Sequence, residues 1–130
     1  MNILADTSAL VSVFRSKDSL HKKALRLSKR LTGHKILITN YIFAETVTVL
    51  SQEEGKVQGN LAGEYLKKNY YILRVSEAFE ELAWDIFKNQ KSKNVSYIDC
   101  TTFALYQKAV FEKVFAFDTD FKRNKIPLVG

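Results

Sequence analysis

A single cysteine, Cys100, stands among 130 residues, which excludes an internal disulfide framework and leads us to expect a reducing compartment, the cytoplasm. One proline and five glycines leave no room for a collagen-like or linker-rich chain, and 46% hydrophobic residues leave none for intrinsic disorder. No apolar run approaches the roughly twenty residues that cross a bilayer, so no membrane partner is expected. The aspartate at position 6 comes too early for a signal peptide, and none is expected. Histidine is scarce too: His21 and His34 stand far from each other and from the cysteine, and read as surface residues rather than ligands. No repeat or low-complexity segment divides residues 1–130, which read as one domain. Against these shortages stands an excess of positive charge. Twenty Lys and Arg outnumber fourteen Asp and Glu, and the resulting +6 favours polyanionic partners, nucleic acid first.

Strand and helix patterns alternate along the chain. Ile3-Leu4-Ala5 reads as a short buried strand that ends at Asp6. Between Ser19 and Leu31, Leu20, Ala24, Leu27 and Leu31 recur at helical spacing, and Gly33 closes that helix. Ile36–Thr39 predicts a second strand, with Asn40 capping a helix that runs to about Glu54 before Gly55. A polar helix over residues 61–69 leads to a third strand over 71–75, and Ser76 opens a helix striped by Phe79, Leu82, Ala83 and Ile86. Ser96 opens the next, to about Phe111, before a fourth strand over 114–117; Pro127-Leu128-Val129 suits a short edge strand. The alternation predicts an α/β fold with a mostly parallel sheet of four to five strands and helices on both faces.

In such sheets the ligand site lies beyond the carboxyl ends of the strands, and acids collect there. Asp6 follows the first strand, Glu45 lies just inside the helix after the second, Asp99 starts the Ser96 helix, and Asp118 and Asp120 follow the fourth strand. Glu45 sits within an apolar stripe of Ile42, Thr46, Val49 and Leu50, where a carboxylate is costly without a partner. Several converging carboxylates repel each other unless cations neutralise them. A site of oxygen ligands without Cys or His suits Mg²⁺ or Mn²⁺, ions that assist phosphodiester hydrolysis. Each acid also has a plain local reading: Asp6 as a helix cap, Asp99 as the acid of a Ser96-x-x-Asp99 capping arrangement, Asp118 and Asp120 as turn residues, Glu45 as the partner of a core lysine. What favours a site is their joint placement at one end of one sheet. Asp118, directly after its strand, is expected nearer to a bound ion than Asp120, which would act through water or hold a second ion.

The segments Ile3–Leu10, Thr39–Glu45, Ser96–Asp99 and Phe115–Phe121, in this order, resemble the PIN domain and in particular the VapC-type toxins of toxin–antitoxin pairs. The resemblance implies a Mg²⁺- or Mn²⁺-dependent ribonuclease, often a homodimer, that is inhibited by a small antitoxin. It implies a metal and catalytic quartet of Asp6, Glu45, Asp99 and Asp118, with Asp120 as an additional metal acid and Ser8 as a supporting hydroxyl. Cys100 stands where such proteins often carry alanine, a mild departure because a buried cysteine behaves as a small apolar residue. A catalytically silent PIN-like module that binds RNA or protein is the alternative, and the intact set of acids argues against it. Haloacid-dehalogenase phosphatases fit poorly, since Ser8 stands where their second aspartate belongs. Receiver domains fit poorly as well, since Val75-Ser76 follows the third strand.

Overall fold

β1 (Asn2–Ala5) lies inside a sheet of order β3-β2-β1-β4, and every pairing is parallel. The computed structural model describes residues 1–130. Ile3, Leu4 and Ala5 are at most 2% exposed, as expected of a strand covered on both faces. β2 (Lys35–Thr39) flanks it on one side with Leu4 opposite Leu37, and β4 (Lys113–Phe115) on the other with Ala5 opposite Phe115. β3 (Tyr71–Leu73) is the edge beyond β2. The expected fifth strand contributes a single parallel bridge between Val114 and Leu128, fixed by hydrogen bonds from Val114 N to Pro127 O and from Val129 N to Val114 O.

The chain winds from β1 through β2 to β3 and then returns to the far side of β1 as β4. Right-handed crossovers place the first two connections on one face and the third on the other. The first connection holds α1 (Thr7–Phe14) and α2 (His21–Ser28), the second α3 (Asn40–Glu54) and α4 (Lys56–Asn69). The third holds α5 (Glu77–Lys88) and α6 (Tyr97–Gln107), and after β4 comes the short α7 (Thr119–Arg123). Packing follows suit: α1 meets α2 and α3, α3 meets α4, and α5 pairs with α6. Between α3 and α4 the chain reverses at Gly55, whose φ of 97° suits only glycine. The two helices then close tightly, because a side chain at Gly59 would run into Ser51 Oγ.

Several local expectations shift. The sequence pattern does not single out α1 over Thr7–Phe14, which buries Thr7 and Ser12 together with Ala9 and Leu10 and so has no clean division into apolar and polar faces. The Ser19–Leu31 helix begins at His21 and tightens to a 3₁₀ turn over Lys29–Leu31. His21 is half-buried, its Nδ1 2.8 Å from Ser12 O, and so is not a free surface residue. Thr39, not Asn40, caps α3 by accepting Ile42 N at 3.0 Å; Asn40 Oδ1 instead accepts Val75 N at 2.8 Å and ties down the exit from β3. The outer strands are shorter than their apolar runs, ending at Leu73 and Phe115.

Candidate metal centre and active site

The order of strands reverses between β1 and β4, and at such a switch point the loops leaving the sheet part and open a crevice. Asp6 leaves β1 on one side of it, with its backbone N–H donating to Phe115 O of β4 at 2.9 Å. On the other side the chain continues from β4 through Ala116 and Phe117 to Asp118. Neither carboxylate lies there by strand geometry alone. Both are drawn into helix caps.

Asp6 caps α1: its Oδ2 accepts Ser8 N at 3.1 Å and Ser8 Oγ at 2.7 Å. Asp118 caps α7 by accepting Asp120 N at 2.9 Å through Oδ1. Asp99 completes a capping box on α6: Ser96 Oγ accepts Asp99 N while Asp99 Oδ2 accepts Ser96 N, both at 3.0 Å. The plain reading of Asp6 and Asp99 as caps is therefore correct, and Asp118, read as a turn residue, is a cap as well. Each cap engages one carboxylate oxygen. Asp6 Oδ1, Asp99 Oδ1 and Asp118 Oδ2 take no hydrogen bond from the protein, and neither oxygen of Glu45 does. None of them is sealed away from water, since Thr102 Oγ1 alone is fully buried without a partner.

Electrostatics brings these acids into one group. Asp6 is 4% exposed; burial raises its carboxyl from 3.8 to about 7, with Ser8 opposing the rise and the charges of Asp99 and Glu45 adding to it. Asp99 rises to about 6, first through burial and then through the charges of Asp118 and Glu45, against the hydrogen bonds of Ser96. No lysine or arginine pairs with any of the four. Glu45 itself is half-buried beside buried Ile42, Thr46 and Leu50, and no core lysine meets it. No three His, Cys, Asp or Glu side chains gather as a metal-holding group. Asp6, Asp99 and Asp118 each keep one carboxylate oxygen on their own helix cap. The donor set still fits a hard divalent ion, which keeps several waters and needs only a few carboxylate oxygens.

Asp120 is placed differently. It lies in the first turn of α7, 4% exposed, and its Oδ1 accepts Arg123 Nη1 at 3.3 Å, so it already has a cation. The five residues of α7 are too few for a helix to persist alone. Phe121, fully buried and edge-on to Phe103 at 5.6 Å, pins it down and with it the Asp118 cap.

Two supports were not singled out by sequence. Thr7 and Thr46 follow Asp6 and Glu45 directly, and Thr46 Oγ1 meets Thr7 Oγ1 at 3.3 Å, a buried hydroxyl pair that joins α1 to α3 beneath the two acids. The signal available was Thr46 itself, a polar residue in an apolar stripe. Ser8 was expected as a support; its second role is new, since its Oγ also accepts Phe117 N at 3.0 Å from across the switch point.

Comparison with known proteins gives the family of the chain. The PIN domain family model matches residues 3–127. This chain belongs to the PIN-domain family. PIN-domain nucleases hydrolyse phosphodiester bonds and generally depend on a divalent metal. Over 123 residues this PIN domain is 28% identical to the 23S rRNA-specific endonuclease VapC20 of Mycobacterium tuberculosis, covering 92% of this chain and 91% of the relative. The crystal structure of that VapC20, described as a sarcin–ricin loop cleaving toxin, superposes with a TM-score of 0.87 at 26% identity, with 95% of each chain covered. VapBC2 from Rickettsia felis, solved with a fragment of promoter DNA, aligns at a TM-score of 0.63, 18% identity and coverage of 98% and 97%, and so shares the fold. No helix of this PIN domain is long and apolar enough to cross a membrane.

Proposed function

We propose that this PIN domain is an endoribonuclease of the VapC toxin kind, using Mg²⁺ or Mn²⁺ held by Asp6, Glu45, Asp99 and Asp118. The observation that carries the proposal is the set of carboxylate oxygens left without a hydrogen bond at the switch point, on acids that no basic side chain neutralises. A bound divalent ion supplies charge neutralisation at the scissile phosphate and eases deprotonation of the attacking water.

The protein's own groups prepare that chemistry. Asp6 offers Oδ1 while Ser8 holds Oδ2, so the carboxylate cannot rotate away. Asp99 is held in the same way by Ser96. The N-termini of α1 and α6 turn backbone N–H groups toward Asp6 and Asp99, which opposes the rise that burial imposes on both carboxyls. Asp120, engaged by Arg123, acts on the site through water or steadies the turn.

The whole chain, residues 1–130, acts as the nuclease domain, with the cytoplasm as its compartment, an RNA as its substrate and a small antitoxin as its inhibitor. The sarcin–ricin loop of 23S rRNA, which the mycobacterial relative is named for cleaving, is the first substrate to try. A homodimer is supported by large apolar side chains left exposed, among them Val57 at 70%, Leu61 at 59%, Trp84 at 51% and Tyr65 at 49%. The deciding experiment is cleavage of that loop RNA after chelation. Added Mn²⁺ or Mg²⁺ should restore it in the native protein and not in Asp6→Asn. Undiminished cleavage by pure Asp6→Asn would count against the metal-nuclease reading.

A further inference from the structure

Four of this protein's cations lie beside Asp118. Lys23, Arg26 and Arg30 share one side of α2 and its 3₁₀ extension, around Leu27, which is 5% exposed and anchors that side to the core. Facing them is Lys122 of α7, one turn beyond Asp118. With the segment from Ala116 to Thr119, these side chains line a hollow of about 330 Å³. None of the four cations has an acidic partner, the ion pairs of the molecule being those of Arg15, Lys88 and Arg123. Lys23 is nonetheless positioned, its ammonium 5.5 Å from the centre of the Phe117 ring.

Four unpaired cations around one hollow repel each other, so the arrangement favours an anion that enters it. Phe117 links the hollow to the acidic crevice, since its ring meets Lys23 while its backbone N–H is held by Ser8, and Asp118 lines the hollow itself. A ligand spanning both must carry negative charge along its length and tolerate carboxylates at one end. A phosphodiester strand does so when a cation neutralises the acids. Arginine forks also match phosphate oxygens in pairs.

We infer that this hollow holds backbone phosphates of the RNA on one side of the scissile bond, with Lys23, Arg26, Arg30 and Lys122 as the contacting groups. The inference rests on the ribonuclease reading for its geometry, but its test does not need turnover. The probe is a fluorescently labelled sarcin–ricin loop RNA, titrated by anisotropy against Asp6→Asn protein so that no cleavage intervenes. Lys23→Gln, Arg26→Gln and Arg30→Gln, added together, change exposed side chains and should leave the melt in place. They should weaken binding about 30- to 100-fold at roughly 0.1 M salt and make the dependence on salt shallower by about two charges. Lys56→Gln, Lys67→Gln and Lys68→Gln, which remove the same formal charge from α4, should change it less than about threefold through screened long-range attraction.

Equal weakening by the two triple variants would reduce the hollow to bulk charge and overturn the inference. So would RNA binding that stays unchanged while polyglutamate binding is lost, which would make the hollow a seat for an acidic protein segment. Native protein that never cleaves, with RNA binding still lost in the α2 triple variant, would remove the nuclease reading and keep the hollow as an RNA site. Cleavage with an unchanged KM in the α2 triple variant would do the reverse.

Discussion

The hydroxyl of Ser8 donates to Asp6 Oδ2 over 2.7 Å and, at the same oxygen, accepts the backbone N–H of Phe117, so one atom fixes the first acid and the turn that carries Asp118. The two sides of the crevice are thereby held in register without a salt bridge.

Ser8→Ala should act on both sides at once. Phe117 N–H loses its acceptor, at a cost of about 1–3 kcal/mol seen as a lower melt. Asp6 loses the bond that restrains its rise, so its carboxyl should move further above about 7. The acidic limb of the pH–rate profile should then shift upward, and Ser8→Thr should bring it back. A lower melt with an unmoved profile would reduce Ser8 to a structural part.

Asp6 and Asp99 make the metal-free protein sensitive to pH in a stated direction. Their folded values of about 7 and about 6 lie above the unfolded 3.8, so between these limits the folded chain holds protons that the unfolded chain has released. Stability therefore falls as pH rises from about 4 to about 7, by on the order of a few kcal/mol. Asp6→Asn escapes its share. Its metal-free melt should exceed that of the native protein by several degrees at pH 8, and the gap should close by about pH 4. Mn²⁺ at pH 8 should raise the native melt more than that of the variant. A gap independent of pH would mean that Asp6 is not the strained group.

Asp118 and Asp120 are separable. Asp118→Asn removes an acid whose charge acts on Asp99, and should cost more activity than Asp120→Asn. Asp120→Asn instead weakens the pair with largely exposed Arg123, which limits the stability cost to about 0–1 kcal/mol. High Mn²⁺ should partly restore its activity. The opposite order in cleavage assays would transfer the fourth metal position to Asp120.

Sedimentation at tens of micromolar should find a dimer, and charged substitutions at the exposed Trp84 or Leu61 should shift it toward monomer. A native protein that remains monomeric would leave those faces to another partner without touching the enzymatic reading.

Much of this protein was legible from one dimension. Short apolar runs between stretches of period-3.6 pattern mark α/β alternation, and acids directly after those runs mark the sheet edge, because a strand delivers its next residue to a fixed place. The Ser96-x-x-Asp99 spacing likewise became the capping box it suggests, since capping is a local matter of three residues. Local pattern stops at contacts between distant segments. Ser8 and Phe117 meet across 109 positions, and Thr7 and Thr46 across 39, only because β1 lies between β2 and β4. Nothing near Lys23 in sequence says that it will face Lys122 across a hollow. The sequence by itself determined which chemistry was at hand, a surplus of cations and a handful of acids. Strand order decided which of them share a field, because charges act through space at distances that only packing sets.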